Sequence, residues 1–267
     1  MEKNFIVAID GTAASGKSTT ARGAAKVLEW FYLNTGAMYR ALTYKIIKEK
    51  IDFKDKNALQ EMLKNTFVEF RGEMEKNGYH IFLDGNDVSK LIRMQEIDAI
   101  VSQVSTIPEV REKMVNEQQG AVEGKNTICE GRDIASVVFP NADLKFYLDC
   151  SLNTRVDRRT KEIGKHNPIR ANQVAPDVIE HIKDNLIERD YIDSNREVSP
   201  LVRVPDAIYL DTTNLTIEEE IQFVVDMIKM RLINKSNDAS PAPPQSQTAN
   251  NQLVSDNIGK GGASSKK

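Results

Sequence analysis

Short apolar runs that each end in small or polar residues recur along the chain: Phe5-Ile6-Val7-Ala8-Ile9, Phe31-Tyr32-Leu33, Thr127-Ile128-Cys129, Leu144-Lys145-Phe146-Tyr147-Leu148 and Ala207-Ile208-Tyr209-Leu210. Runs this brief and this continuous suit strands covered on both faces. Helical spacing fills the stretches between them, as from Thr20 to Leu28. Strand alternating with helix predicts an α/β fold on a five-stranded parallel sheet flanked by helices. One stretch breaks this rhythm. Residues alternate from Thr66 to Phe70 and from Tyr79 to Leu83 around Lys76-Asn77-Gly78, and Asp84-Gly85 follows. Asn-Gly and Asp-Gly are strong hairpin signals, so a small antiparallel insertion is predicted over about residues 65–90.

Two helical segments carry charge on an otherwise apolar side. Between Asp177 and about Arg196, the residues Ile182, Leu186, Arg189, Asp193 and Arg196 fall at steps of four and three, which puts all five on one face. Arg189, Asp193 and Arg196 could be simple intrahelical pairs, but they extend an apolar seam, which favours a ligand-facing end. Thr106-Ile107-Pro108-Glu109 reads as a capping box with an early proline, opening a helix in which Ile107, Arg111, Met114 and Gln118 share a side. Just before it, Ile97, Val101 and Val104 form the apolar side of a helical run that contains Ser102. Beyond about Asn234 the chain turns into Ser, Asn, Gln, Pro and Gly, which cannot bury enough apolar surface to fold alone. One folded domain over 1–233 and a disordered tail over 234–267 are therefore expected. Asn234-Lys235-Ser236-Asn237 falls one residue short of a guanine-reading N-K-x-D pattern, at the start of that tail.

Charge narrows the partners. The 267 residues carry 36 Lys and Arg against 39 Asp and Glu, a net charge of -3. No bulk attraction to nucleic acid or to an anionic membrane follows from that balance, so phosphate affinity must come from local clusters. No apolar stretch approaches the ~20 residues that cross a bilayer. Cys129 and Cys150 are the only cysteines, which suits reduced thiols in a cytoplasmic protein better than a disulfide framework.

The segment Gly11-Thr12-Ala13-Ala14-Ser15-Gly16-Lys17-Ser18 satisfies G-x-x-x-x-G-K-[ST] between the first strand and a helix. Its glycines let backbone N–H groups turn inward, the helix adds its positive end, and Lys17 and Ser18 reach the outer phosphates and Mg²⁺. This predicts a P-loop NTPase fold. Such a cradle serves switches, motors and kinases alike, so the rest of the site must come from elsewhere. Arg40 lies just past the second strand, and Arg132 and Asp133 follow Gly131 at the end of Thr127-Ile128-Cys129-Glu130. Ligands of open parallel sheets collect at these carboxyl ends. Arg155, Arg158, Arg159, Lys161, Lys165 and Arg170 crowd the segment after the fourth strand, with Gly164 and Asn167-Pro168 as flexible points. That charge run reads either as a solvated face or as a mobile lid over about 155–173 that brings arginines onto phosphate and expels water.

Taken together, these motifs resemble the bacterial-type cytidylate kinases of the nucleoside monophosphate kinase family over roughly residues 5–230. The resemblance rests on Ile9-Asp10-Gly11 through Thr19, Asn34-Thr35-Gly36-Ala37-Met38-Tyr39-Arg40, Ser102-Gln103-Val104, Val110-Arg111 and Glu130-Gly131-Arg132-Asp133. Val137-Val138-Phe139-Pro140, Glu188-Arg189-Asp190 and Asn195-Arg196-Glu197-Val198-Ser199-Pro200 complete it. It implies transfer of the γ-phosphoryl group of Mg·ATP to CMP or dCMP, with ATP held by Gly11, Thr12, Ala13, Ala14, Ser15, Gly16, Lys17, Ser18 and Thr19, and the metal by Ser18. It further implies that Thr35, Arg111 and Asp133 read cytosine, that Ser102, Arg189 and Asp193 meet the sugar or nearby groups, and that Arg40, Arg132 and Arg196 hold the acceptor phosphate. Lys17, Arg132, Arg159 and Arg196 would be the catalytic charges, and the family suggests a monomer. Two departures stand out: Thr12 replaces a common proline, and Asn34 stands where the family commonly has Asp.

Overall fold

A computed structural model describes residues 4–73, 78–166 and 175–238. In chain order its elements are β1 (Ile6–Gly11), α1 (Lys17–Leu28), β2 (Phe31–Asn34), α2 (Thr35–Lys48), α3 (Lys56–Lys64), β3 (Val68–Glu73), β4 (Gly78–Leu83), β5 (Asn86–Asp87), α4 (Gln95–Val104), α5 (Pro108–Ala121), β6 (Thr127–Glu130), β7 (Leu144–Asp149), α6 (Leu152–His166), α7 (Pro176–Asn195), β8 (Ile208–Asp211) and α8 (Ile217–Asp238). The five predicted strands form one parallel sheet in the order β2-β6-β1-β7-β8. Val7, Ala8, Ile9, Leu33, Ile128, Cys129, Phe146 and Leu148 are fully buried, as their apolar continuity requires of strands with helices on both faces. The register sets Ile9 and Asn34 on either side of Glu130, so the ends of β1, β2 and β6 open into one region.

The predicted insertion is a three-stranded antiparallel sheet in the order β3-β4-β5, with Val68 opposite Leu83 and Glu73 opposite Gly78. Phe70 carries it onto the main core, edge-on to Phe31 at 5.8 Å and to Tyr32 at 6.1 Å between ring centroids. Residues Lys76 and Asn77 of its first turn lie outside the described residues, as do Asn167, Pro168 and Arg170 of the expected lid.

Local sequence explains the junctions nearest the site. Gly11 ends β1 where a Cβ would lie 2.0 Å from the Leu148 carbonyl oxygen, so only glycine lets β1 and β7 keep their register into the loop. Asn34 ends β2 and caps α2, its Oδ1 accepting from Ala37 N at 2.9 Å. The capping box expected at Thr106 is not formed. Thr106 donates its hydroxyl to Gln103 O at 2.8 Å, closing α4, and α5 starts at Pro108 behind Ile107 without a side-chain cap. The local pattern cannot register that the end of α4 competes for the same hydroxyl.

Asp10, the penultimate residue of β1, accepts from Ile134 N at 2.9 Å and Ala135 N at 2.8 Å. It thereby fixes the wide turn over Ile134–Val138, in which Val138 N bonds Asp133 O and Phe139 N bonds Ile134 O. Burial pushes the Asp10 carboxyl up to about 7 against the pull of those two amides. Because the folded-state value is raised from 3.8, the protonated form's contribution to stability is whole below that pH and is lost as pH rises through about 7. Asp10→Asn presents an NH₂ where one of the amides needs an acceptor and is expected to cost about 1–3 kcal/mol. Urea unfolding at neutral pH checks this, and an unmoved midpoint would mean that the turn does not depend on Asp10.

The last helix ties the two ends of the sheet together. In its first turn Glu220 accepts from Thr20 Oγ1 at 2.5 Å and from Arg158 Nη2 at 3.0 Å, beside the loop after β1. Near its other end Lys235 pairs with Asp143 at 2.8 Å, and Asp143 also accepts from Ile6 N, at the start of β1. The helix runs to Asp238, so Asn234 to Asn237 lie within it, past the position where composition places the edge of the folded region. Among the described residues no helix is long and apolar enough to cross a membrane.

Candidate active site

The loop after β1 and the start of α1 form the predicted cradle. Lys17 is buried and donates to Thr12 O at 2.8 Å. Burial, reinforced by Arg132, pushes its ammonium down to about 7, a state that a bound anion would reverse. Ser18 Oγ donates to Glu130 Oε1 at 2.8 Å, across from the end of β6. Ser15 Oγ is fully enclosed in the loop with no hydrogen-bond partner among the described residues.

Side chains from far along the chain hold the outside of this loop. Asp190 of α7 accepts from Ala13 N at 2.9 Å, and Arg155 of α6 reaches both Asp190 and the Ala13 carbonyl. Arg158 donates to Ser15 O at 3.1 Å, to Thr212 O at 2.8 Å and to Glu220. Ala13, Val156, Ile182 and Leu186 form a small apolar cluster beneath these contacts. Arg155 and Arg158, part of the charge run left open between a solvated face and a lid, are therefore anchored walls of the cradle. Lys161 is exposed.

All nine residues assigned to the acceptor line one pocket: Thr35, Arg40, Ser102, Arg111, Arg132, Asp133, Arg189, Asp193 and Arg196. The α7 face predicted from spacing is the inward one, with Ile182, Leu186 and Asp193 buried. At the pocket floor Arg111 pairs with Asp133 and donates to Ser105 O at 3.1 Å, both partners being almost wholly buried. Arg196 stands 3.5 Å from Asp133 and 3.7 Å from Asp193, and its Nε donates to Ser199 O at 2.6 Å. Arg132 Nε donates to Asp193 Oδ2 at 2.8 Å. Burial works against the Asp193 carboxylate, yet Arg132 and Arg196 outweigh it and hold its pKa below the usual range. Thr35 Oγ1 donates to Glu130 O at 2.9 Å, so close to the next turn that a Cβ on Gly131 would fall 2.6 Å from that hydroxyl.

Cationic groups outnumber what these carboxylates satisfy. Arg189 is pushed down to about 10 by burial, with Arg132 and Arg40 adding repulsion. Arg189 Nε and Arg196 Nη2 are buried without a hydrogen-bond partner among the described residues. Buried donors with hydrogen-bonding capacity left, amid mutually repelling guanidinium groups, suit an anion. Lys17 adjoins it, with Arg132, Glu130, Asp193 and Arg189 as its charged neighbours.

Arg159 is the one candidate outside this convergence. It sits at the rim, pairing with Asp98 at 3.5 Å and Glu162 at 2.8 Å, and Asp98 also binds Arg40. Sequence reasoning assigned no role to Glu130, Asp190, Asp98 or Tyr32. Glu130 was discoverable, since it ends a predicted strand at the carboxyl edge where ligands collect. Asp190 stands in a quoted motif without an assigned role and Asp98 in none, because each acts on a partner tens of residues away.

Ser18 and Glu130 offer a hydroxyl and a carboxylate oxygen side by side, hard donors of the kind Mg²⁺ takes alongside substrate phosphates. Among the described residues no group of three His, Cys, Asp or Glu is placed to hold a metal ion.

Comparison with known proteins gives the family. The cytidylate kinase family model matches residues 7–230. The cytidylate kinase of Geobacillus sp. is 41% identical over 232 residues, covering 87% of this chain and 100% of that protein. The cytidylate kinase of Bacillus cereus is 40% identical over 228 residues, covering 85% of this chain and 97% of its own length. With a phosphate cradle at one end of the sheet and an arginine-lined pocket beside it, this chain belongs to the cytidylate kinase family.

Proposed function

We infer that the chain transfers the γ-phosphoryl group of ATP to CMP and dCMP, releasing ADP and the corresponding diphosphate. The observation that carries this reading is the convergence of Arg40, Arg132, Arg189 and Arg196 on one pocket adjoining Lys17, with Arg189 Nε buried and without a hydrogen-bond partner among the described residues. Two polyanions must be brought together, and their repulsion is the main obstacle. Lys17 and the cradle amides grip the donor, while Arg40, Arg132 and Arg196 grip the acceptor phosphate. In-line transfer then needs positioning and charge stabilisation rather than a covalent intermediate or a general base. Mg²⁺, held through Ser18 with Glu130 beside it, neutralises charge on the donor phosphates when bound. Arg159 reaches the transferring group only by leaving Asp98 and Glu162, while Arg155 and Arg158 stay fixed to the cradle.

Base choice follows from the floor of the pocket. Arg111 and Asp133 present a fixed donor and acceptor pattern in a water-poor place, and a base that leaves them unmatched forfeits their hydrogen bonds. In this reading Ser102, Arg189 and Asp193 meet the sugar or neighbouring groups. The reaction is placed on a monomer in the cytoplasm, a reducing compartment that suits the two buried free cysteines.

ADP formation with CMP, dCMP, UMP and AMP as acceptors tests the reading. CMP and dCMP are expected to exceed the other two by about 100-fold or more in kcat/KM. Equal rates across the panel would remove Arg111 and Asp133 from base recognition.

A further inference from the structure

A one-way hydrogen-bond chain leads into the carboxylate beside Ser18. The cap on α2 fixes its direction. Asn34 Oδ1 is committed to Ala37 N, so the atom that Asn34 turns toward Tyr32 OH, 3.2 Å away, is Nδ2, a donor. Tyr32 OH accepts that bond, and its single proton is then free for Glu130 Oε1 at 3.3 Å. The same oxygen accepts from Ser18 Oγ at 2.8 Å. Tyr32 and Glu130 are both buried, with no room for either to swing to solvent. Tyr79 of the antiparallel sheet closes the far side, its hydroxyl 3.5 Å from Asn34 Nδ2 and its ring stacked on Phe70 at 4.9 Å.

We propose that Tyr32, aimed by Asn34, is a positioning residue that holds the Glu130 carboxylate toward Ser18 and so sets how tightly the metal–nucleotide complex is bound. This rests on the reading of Ser18 and Glu130 as the metal side of the donor site. The chemistry explains why Asn serves at position 34. An Asp there would cap α2 equally well, but its second oxygen could only accept. One phenolic proton would then lie between two carboxylates, and Glu130 would lose its undivided claim on it. With Asn the chain runs from amide to phenol to carboxylate, and Glu130 is the single anion at its end.

The test is Mn²⁺ binding to the full chain in the presence of ADP, followed by electron paramagnetic resonance, with no turnover required. Tyr32→Phe keeps the ring and removes the hydroxyl, and is expected to weaken Mn²⁺·ADP binding about tenfold, as loss of an outer-shell partner does at metal sites. Metal-free ADP binding should hold. Asn34→Ser retains a cap for α2 but is too short to reach Tyr32, and should weaken Mn²⁺·ADP by about two- to threefold. If Tyr32 acts through Glu130, then adding Tyr32→Phe to Glu130→Gln costs nothing further. Unchanged Mn²⁺ affinity in both Tyr32→Phe and Asn34→Ser, or full additivity with Glu130→Gln, overturns the proposal while leaving the donor-site reading intact. Failure of the wild-type chain to bind Mn²⁺·ADP overturns both.

Discussion

Arg196→Ala is expected to lower kcat for CMP by about 10³-fold or more while leaving ATP binding within about twofold of wild type, the scale on which a well-placed arginine acts in phosphoryl transfer. The geometry separates the two effects. Arg196 touches Asp133, Asp193 and the Ser199 carbonyl, the two carboxylates lining the pocket proposed for the acceptor, and none of these partners lies in the loop after β1. Its Nη2 is buried 3.5 Å from Asp133 without a hydrogen bond among the described residues, so truncation removes a donor with capacity left for an anion. Steady-state kinetics with CMP and equilibrium binding of ATP give the two readouts. Near-normal turnover would withdraw Arg196 from the reaction and leave Arg40 and Arg132 as the proposed acceptor clamps.

The second large effect concerns the buried Arg111–Asp133 pair. Arg111→Met leaves the buried Asp133 carboxylate with only the longer contact to Arg196 and should destabilise the fold by about 3 kcal/mol. Replacing both partners, Arg111→Met with Asp133→Leu, trades the pair for apolar groups of similar bulk and should recover most of that loss. Recognition should not recover. CMP kcat/KM in the double variant is expected to stay down by about 100-fold or more, because the polar pattern that meets the base is gone. Urea unfolding and CMP kinetics on the same three proteins decide the matter. A double variant that is both stable and active would show that the pair is only structural.

Much of this arrangement was legible before any coordinates. The strands lie where sequence places them because a strand buried on both faces writes an unbroken apolar run, as Val7 to Ile9 does, while in Leu144 to Leu148 only Phe146 and Leu148 are fully buried. The α7 face was readable because its 3.6-residue period continues from Leu186 into Asp193 without a slip, so charged residues inherited the inward direction of apolar ones. Contacts across long stretches of chain were not legible. Arg155 and Arg158 read as part of a charge run whose partners, Asp190 and Glu220, lie 35 and 62 positions away. Thr106 was misread for the opposite reason, since a four-residue motif omits the preceding helix that uses its hydroxyl. The Tyr32 chain was hidden because a tyrosine in an apolar run looks like core, and only the register of β2 against β6 sets it beside Glu130.

The placement of α8 decides where added sequence can go. Its opening turn braces the nucleotide end of the sheet through Glu220, and its closing turns reach Asp143 beside the entrance of β1. At about 1.5 Å per residue, those anchors are separated by some 20 Å of rigid rod. A fluorescent protein or purification handle fused behind Asp238 would thus leave from the pole remote from the loop after β1, the same pole at which β1 begins.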